Sequence, residues 1–242
     1  MSINIEHLTK SFNGSKILDD ISFEVKPGEI LAIVGFSGSG KSTILKLISG
    51  LIKQDNGTIT TGDGDVAMVF QYSALFDSLN VFDNISFALQ ERKEFKGKYT
   101  KEQIKDMVSK NLKTVGLEGI ENKYPHELSG GMQKRVSFAR AIVTKPKMIL
   151  YDEPTAGLDP VASTIIEDYI LRLRTETDST AIVVTHQMST ITRCADRVIM
   201  LYGGKIVFEG TPVEMLKKDT PYTDQFVSAK IDGPMKITAS SF

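Results

Sequence analysis

The sequence predicts an α/β fold with a largely parallel sheet at its core, an antiparallel β layer before it and a helical subdomain inserted into it. Three observations support this prediction. A glycine-rich segment, residues 35–43, lies between the apolar run Ile30–Val34 and a helical pattern of apolar residues. Apolar runs alternate with helical stretches between residues 148 and 202. The 242 residues, 41% of them hydrophobic, can form one large domain with a substantial core.

The chain begins with strands rather than helices. Ile3–Leu8 and Ile21–Val25 are apolar runs rich in β-branched and aromatic residues, and the turn pairs Asn13-Gly14 and Pro27-Gly28 lie beside them. We interpret these runs as a small antiparallel layer that precedes the core.

The segment GFSGSGKST has the composition and the context of a phosphate-binding loop. Its glycines allow backbone N–H groups to surround a polyphosphate at the positive end of the following helix. There Lys41 can reach the β- and γ-phosphates, the Ser42 hydroxyl can ligate Mg²⁺, and Thr43 adds a hydrogen bond to phosphate. A Gly/Ser-rich turn that ends in Lys-Ser by chance is disfavoured by the flanking strand and helix. The predicted binding residues of this loop are Gly35, Ser37, Gly38, Ser39, Gly40, Lys41, Ser42 and Thr43.

The chain is therefore predicted to be a P-loop NTPase with a RecA-like core that binds a nucleoside triphosphate. Residues 73–135 read as charged helical segments interrupted by Gly and Pro. The expected organisation is a single domain, 1–242, with a nucleotide-binding core and β subdomain (1–72 and 136–210), a helical subdomain (73–135), and a C-terminal helix and tail (211–242). Within the core we expect strands at Met148–Tyr151, Ala181–Thr185 and Val198–Tyr202, and helices at Val161–Arg174 and Met188–Cys194.

Charge and cysteine usage limit the possible partners. A formal net charge of −1 gives no global argument for binding nucleic acid. Cys194 is the only cysteine, so we expect no intrachain disulfide, a reducing cytosolic compartment and a packing role for this side chain. No apolar run approaches the ~20 residues needed to span a bilayer, and the first residues do not resemble a signal peptide. We expect that the chain does not cross a membrane by itself.

Two acidic residues end an apolar strand. Parallel strands deliver residues to a ligand at their carboxyl ends, and Asp152 and Glu153 follow the run Met148–Tyr151. Asp152 is suited to hold Mg²⁺, and Glu153 is suited to accept a proton from, or to orient, the water that attacks the γ-phosphate. A solvated strand end before the Pro154 turn is the alternative, and the P-loop makes it the weaker one.

A second anion-binding surface is predicted at residues 128–133 (LSGGMQ). Ser129, Gly130 and Gly131 lie at the start of a helical pattern, where N–H groups and the helix dipole attract negative charge. With the P-loop and the Asp152-Glu153 pair, this LSGG element makes the chain resemble the ATP-binding cassette (ABC) ATPases over nearly its full length.

The resemblance implies roles for further residues. Phe12 matches the aromatic that stacks on adenine, Gln71 matches the glutamine that senses Mg²⁺ and the attacking water, and His186 matches the histidine that contacts the γ-phosphate. Residues 157–159 match a dimer-contacting loop that includes Asp159. Considered alone, Phe12 could be a core aromatic, Gln71 a surface amide and His186 an ordinary strand-end histidine. The implied catalytic residues are Glu153, His186 and Gln71, and the implied metal-binding residues are Ser42, Gln71 and Asp152.

The resemblance also implies a second subunit. In this family two domains pair head to tail, so the LSGG helix of one covers the γ-phosphate bound by the P-loop of the other. The expected assembly is a homodimer closed by two ATP molecules, with a heterodimer of related chains as the alternative. The connection between Gly57 and Gln71 is shorter than in many relatives, which leaves the shape of the β subdomain open.

The segment 70–85 (FQYSALFDSLNVFDNI) resembles the ATPases of Mla-type (maintenance of lipid asymmetry) phospholipid transporters and their Mce-associated relatives. That likeness implies an integral membrane permease, a lipid-binding Mce-type protein, and a peripheral location on the cytoplasmic face of the inner (plasma) membrane, with no nucleic acid as partner. An ATPase of a polar-solute importer and a soluble, non-transport ABC ATPase remain as alternatives.

The same segment contains four apolar residues that could line a groove for a cytoplasmic helix of the permease. They are Leu75, Phe76, Val81 and Phe82. The alternative is that some of them only pack the helical subdomain.

Overall fold

A computed structural model describes residues 1–236 and contains a three-stranded and a six-stranded sheet. The strands are β1 (Ile3–Phe12), β2 (Ser15–Val25), β3 (Ile30–Val34), β4 (Asn56–Thr61), β5 (Val66–Val69), β6 (Met148–Asp152), β7 (Thr180–Val184), β8 (Arg197–Tyr202) and β9 (Lys205–Gly210). The helices are α1 (Lys41–Ile48), α2 (Val81–Glu91), α3 (Lys101–Thr114), α4 (Gly130–Ile142), α5 (Pro160–Thr177), α6 (Met188–Cys194), α7 (Pro212–Leu216) and α8 (Pro221–Val227), with a short 3₁₀ turn at Pro125–Glu127.

The small sheet is antiparallel, in the order β2-β1-β4. Its strands have one buried face, because Ile3, Ile5 and Leu8 of β1 point into the core while the residues between them face solvent. The antiparallel layer is confirmed. Its third strand, β4, begins at Asn56 and runs into the shortened connection between Gly57 and Gln71, and the sequence analysis predicted no strand at these residues.

The large sheet has the order β5-β6-β7-β3-β8-β9 and is parallel except for the edge strand β9. The central strands β3, β6 and β7 are buried at every position, as the continuous apolar runs of strands covered on both faces require. The carboxyl ends of β3, β6 and β7 therefore lie side by side. The α/β fold class is confirmed.

The helical subdomain packs α2, α3 and α4 against one another around one core cluster that includes Ile85, Leu112 and Val136. Helix α4 runs without interruption through residue 135, where the predicted subdomain boundary lies. This continuity means that the LSGG segment at the start of α4 and the core residues at its end belong to one rigid element.

The segment after β9 folds back onto the core. Helices α7 and α8 contact each other, and the buried Gln225 side chain accepts a hydrogen bond from the Met235 N–H and donates one to the Met235 carbonyl, both at 2.8 Å. Of the predicted tail, residues 237–242 lie outside the described part of the chain.

The predicted packing role of Cys194 agrees with its position, since only 3% of the residue is exposed. Burial raises the pKa of this thiol to about 12, so it is an unreactive thiol rather than a nucleophile. None of the helices within residues 1–236 is long and apolar enough to cross a membrane.

Candidate active site

A cavity of about 860 Å³ opens at the carboxyl ends of β3, β6 and β7. This is the edge at which open parallel sheets bind ligands. Its lining includes most of the residues predicted for the nucleotide site. They are Phe12, Gly35, Ser37, Gly38, Gly40, Lys41, Ser42, Thr43, Gln71, Glu153 and His186.

The loop that connects β3 to α1 requires glycine at its two ends. A Cβ on Gly35 would lie 2.5 Å from the Leu201 carbonyl oxygen, and its φ of +147° is unfavourable for other residues. Gly40 precedes α1 with φ +98°, and a Cβ there would lie 2.8 Å from a methyl carbon of Leu18. These constraints hold the backbone in a tight turn whose end is the amino terminus of α1, where an anion is favoured.

Lys41 is buried at the base of the cavity. Its Nζ donates hydrogen bonds of 2.8 Å to the carbonyl oxygens of Gly35 and Phe36. Burial lowers the pKa of Lys41, while Glu153 and Asp152 partly offset that effect. The ammonium group thus bonds across the loop that is predicted to surround the phosphates. A bound phosphate would replace the two carbonyl oxygens as its partner.

A hydroxyl and a carboxylate form a pair beside the P-loop. The Ser42 hydroxyl donates a 2.8 Å hydrogen bond to Asp152 Oδ1, across a sequence separation of 110 residues. Burial raises the pKa of Asp152, the Ser42 hydrogen bond opposes this, and the neighbouring Glu153 carboxylate adds to it. A cation at this place would compensate the buried negative charge.

Glu153 is 8% exposed and has a left-handed backbone with φ 48°, a conformation that is costly for a residue other than glycine. Its N–H donates to the Val184 carbonyl at 2.9 Å, and its Oε1 lies 2.9 Å from His186 Nδ1. The backbone hydrogen bond and the contact with His186 therefore fix the position of this carboxylate in the cavity lining.

Two buried polar atoms at the site have no protein hydrogen-bond partner within residues 1–236. They are Glu153 Oε2 and Ser39 Oγ. Buried polar atoms are nearly always paired, so these two fit a site in which water and phosphate complete the hydrogen bonding. No group of three or more His, Cys, Asp or Glu side chains in the described chain is arranged to hold a metal ion.

The adenine-stacking residue predicted from the resemblance lies at the cavity rim. Phe12 ends β1 and is 45% exposed. Lys10 Nζ lies 5.3 Å from the ring centroid and donates to Asp55 at 2.7 Å, and the second oxygen of Asp55 accepts from the Ser11 N–H. The ring thus has an exposed face on a strand end that Asp55 fixes. Gln71 is likewise exposed where it lines the cavity.

The remaining predicted binding residues do not line this cavity. Ser129 accepts a hydrogen bond from Met132 N–H as the cap of α4, and Asp159 accepts from Ala162 N–H as the cap of α5. Gly131 lies near Leu158, and Lys134 donates to the Ala156 carbonyl. The LSGG segment and the loop before α5 therefore form a second, exposed surface apart from the P-loop.

Several cavity residues were not identified from sequence. They are Ile17, Phe36, Met188, Phe226 and Ala229. Phe36 lies inside the P-loop segment and could have been inferred from its position. Phe226 reaches the cavity only because α8 folds back, which places its ring centroid 6.2 Å from that of Phe36, and no sequence pattern indicates this.

Comparison with known proteins agrees with this geometry. The model of the ABC transporter family matches residues 18–156, more than half of the chain. The chain is 41% identical to the protein trigalactosyldiacylglycerol 3, chloroplastic, of Arabidopsis thaliana, over 97% of this chain and 75% of that protein. It is 35% identical to the probable ribonucleotide transport ATP-binding protein mkl of Mycobacterium leprae, over 98% and 72% of the two chains. It is also 38% identical to the sulfate/thiosulfate import ATP-binding protein CysA of Xanthomonas campestris, over 95% and 70%.

Solved structures show the same fold. A dimeric ATP-binding cassette in a post-hydrolysis state, bound to ADP and Pi, superposes with a TM-score of 0.80 at 30% identity, covering 87% of this chain and 98% of that one. The fold and the phosphate site define an ATP-hydrolysing cassette. The chain belongs to the ABC transporter family and is an ATP-binding transporter subunit that hydrolyses ATP.

The exposed ring of Phe12 leads to a prediction about base recognition. Stacking of a base on an aromatic ring contributes roughly 1–3 kcal/mol, so Phe12→Ala should weaken ATP binding about tenfold and leave the affinity for inorganic tripolyphosphate unchanged. Phe12→Trp should restore ATP binding. Titration calorimetry with both ligands measures this, and Tyr72→Ala, at an exposed aromatic that does not line the cavity, is the matched control. Equal loss of both ligands would contradict a stacking role.

Proposed function

We propose that this chain is the ATP-hydrolysing subunit of a Mla/Mce-type phospholipid transporter. It acts with a separate integral permease from the cytoplasmic face of the inner (plasma) membrane, and a lipid-binding Mce-type protein completes the assembly. The observation that carries the proposal is an apolar groove beside the segment that follows Gln71, connected to α4 by hydrogen bonds.

The proposed chemistry assigns one role to each group in the cavity. Glu153 orients and deprotonates the attacking water, and His186 holds Glu153 and contacts the γ-phosphate. Ser42, Asp152 and Gln71 hold Mg²⁺, which when bound neutralises charge on the phosphates. Lys41 and the N–H groups before α1 bind the phosphates, so the chain supplies positioning and electrostatic stabilisation rather than a covalent intermediate.

Part of the predicted nucleotide-binding set lies outside the cavity lining of its own chain within residues 1–236. The exposed LSGG segment with Ser129 and Gly130, and Asp159 on the neighbouring loop, contribute nothing to their own cavity. We infer that a second copy supplies them, so that two chains enclose two ATP molecules. One similar cassette, solved as a dimer in two structures, supports a homodimer.

ATP-dependent pairing can be tested with Glu153→Gln. This change keeps the size of the buried side chain and removes the base, so ATP should stay uncleaved and hold the dimer together. Light scattering should show a monomer without nucleotide and a dimer with ATP. The double variant Glu153→Gln/Lys41→Ala, which lacks the phosphate-binding ammonium, should remain monomeric. A Glu153→Gln protein that binds ATP tightly and stays monomeric at high concentration would contradict the proposed pairing.

The groove has a volume of about 340 Å³ and lies between β5, α2 and α4. Phe76 is 44% exposed, and its ring centroid is 4.8 Å from that of Phe87, so an aromatic pair forms part of the wall. Of the four residues expected to line such a groove, Phe76 does. Val81 is fully buried, and Leu75 and Phe82 pack against the core of the helical subdomain.

Hydrogen bonds connect the wall of the groove to the segment that follows Gln71. Arg140 on α4 donates to the carbonyls of Ser73 and Ala74, and its guanidinium carbon lies 5.8 Å from the Phe76 ring centroid. Ser73 also donates to the Gln133 side chain near the start of α4. Because Ser73 and Ala74 lie two and three residues after Gln71, a shift of α4 on dimer closure would move the Gln71 segment and the groove together.

This connection predicts that a charge in the groove separates transport from hydrolysis. Phe76→Asp should abolish permease-dependent lipid transfer between proteoliposomes by weakening the apolar contact, while the ATPase rate of the isolated chain stays within about twofold, since Phe76 lies outside the cavity. The control is Val213→Asp, at an exposed apolar residue on α7. Equal loss of transport and basal hydrolysis would indicate a folding defect instead.

Two observations support a lipid as the cargo, and one supports a polar solute. One relative's name refers to trigalactosyldiacylglycerol, a lipid, and the segment 70–85 resembles the Mla-type ATPases. Relatives at 38% and 35% identity carry the names of a sulfate/thiosulfate importer and a ribonucleotide transporter, so a polar-solute importer is the second candidate.

Co-purification distinguishes these candidates. The tagged chain, isolated from detergent-solubilised membranes, should bring down a permease with several membrane spans, a lipid-binding Mce-type protein and phospholipid, detected by mass spectrometry. The Phe76→Asp variant should lose the permease and serves as the control for specific capture. A solute-type permease without lipid would favour the importer, and cytosolic partners alone would overturn the transporter proposal.

A further inference from the structure

A buried carboxylate outside the cavity has no part in the chemistry described above. Glu167 lies in the middle of α5 and is only 1% exposed, although α5 carries its other charged residues on the outside. Glutamate is rarely buried this deeply unless it is fully paired, because removing its charge from water is costly. Its position therefore requires specific partners.

Those partners are all on α6. Glu167 Oε1 accepts hydrogen bonds of 2.9 Å from the hydroxyls of Ser189 and Thr190, and Oε2 forms a 2.9 Å ion pair with Arg193 Nε. Both carboxylate oxygens are thus used, and α5 is connected to one face of α6.

The hydrogen bonds continue from α6 to the residues that flank Glu153 and His186. Thr190 gives its single hydroxyl hydrogen to Glu167, so the 3.0 Å contact between Thr155 and Thr190 has the Thr155 hydroxyl as donor. The Thr155 carbonyl accepts from Gln187 Nε2 at 3.2 Å, and Gln187 N–H donates to the Thr185 hydroxyl. The two residues next to His186 and the residue two positions after Glu153 are therefore parts of one hydrogen-bonded unit.

We infer that Glu167 is a positioning residue for ATP hydrolysis. It holds the start of α6 against α5 so that His186, which precedes α6, stays 2.9 Å from the Glu153 carboxylate. Helix α5 begins beside Asp159, about 12 Å along the axis from Glu167 at roughly 1.5 Å per residue. A contact made by a second chain at Asp159 would therefore reach His186 through Glu167.

The inference rests on the proposed roles of Glu153 and His186. It differs from a purely structural role in what it affects. A stabilising contact alone would change the unfolding temperature and leave the geometry of the site intact. A positioning contact changes the rate of the chemical step and the surroundings of His186 while ATP binding persists, because Glu167 does not touch the cavity.

The test compares Glu167→Gln with Asp168→Asn. Both carboxylates lie on α5 and contact Arg193, but Asp168 is exposed and, within residues 1–236, its side chain bonds only to that arginine. Glu167→Gln should lower kcat for ATP about tenfold or more, as expected for displacement of a catalytic group, while the Kd for ATP stays within twofold. Asp168→Asn should leave both values unchanged.

A second pair of variants, both at Thr190, keeps the test valid if Glu167→Gln does not fold. Thr190→Val keeps the shape of the side chain and removes the hydroxyl, and Thr190→Ser keeps the hydroxyl. Thr190→Val should lower kcat and Thr190→Ser should retain it. The imidazole NMR signals of His186 should shift in Glu167→Gln and Thr190→Val, while those of His7 and His126, the other two histidines of the chain, stay in place.

The outcomes separate the possibilities. An unmoved His186 signal with normal kcat in Glu167→Gln and Thr190→Val would overturn the positioning role. A lower unfolding temperature with unchanged kcat would show a structural role and also overturn it. His186→Ala with undiminished kcat would instead contradict the proposed function of that histidine. If His186→Ala keeps its kcat, the positioning role of Glu167 is overturned as well, because the histidine that Glu167 positions would take no part in catalysis.

Discussion

The contact between Glu153 and His186 is the interaction on which the site depends. It joins the ends of β6 and β7, two neighbouring parallel strands, and it lies where the backbone of Glu153 adopts a left-handed conformation. Such a conformation persists only when the surrounding structure imposes it. Here the Val184 carbonyl holds the backbone and His186 holds the side chain, and the second carboxylate oxygen is buried with no protein hydrogen-bond partner within residues 1–236.

The charges at the base of the cavity are arranged for a polyphosphate with its cation. Burial lowers the pKa of Lys41 and raises that of Asp152, so both groups are less stable in their charged forms than they would be in water. A phosphate beside Lys41 and a divalent cation beside Asp152 would each relieve that cost. We therefore expect part of the binding energy to come from charges that the fold has already desolvated.

Helix α4 links the two surfaces of the molecule. Its start presents the LSGG segment, and its buried side packs in the core of the helical subdomain. Gln133 near its start and Arg140 in its last turn contact the segment that follows Gln71. A continuous helix transmits displacement along its length, since the interior does not deform gradually. In the proposed mechanism, this is how nucleotide-driven pairing of two chains would be coupled to the apolar groove that α4 helps to line.

Much of the site is determined locally and could be predicted from sequence. The P-loop is one continuous segment, residues 35–43, and its chemistry follows from glycine, lysine and serine at short spacings between a strand and a helix. The buried strands β3, β6 and β7 are continuous apolar runs, so the parallel sheet and the polar residues at its carboxyl ends were also predictable. The short strand β4 was missed because Asn56–Thr61 is mostly exposed and lacks an apolar run.

Only the tertiary structure decided which distant residues meet. The Ser42–Asp152 hydrogen bond spans 110 residues, and the approach of Phe226 to Phe36 depends on how α8 folds back. In the sequence, Glu167 is one of several acidic residues of α5, and its burial follows from the packing of α5 against α6. Local patterns record the chemistry of a residue and its nearest neighbours. The partners of a buried charge depend on packing between elements, which no short stretch of sequence contains.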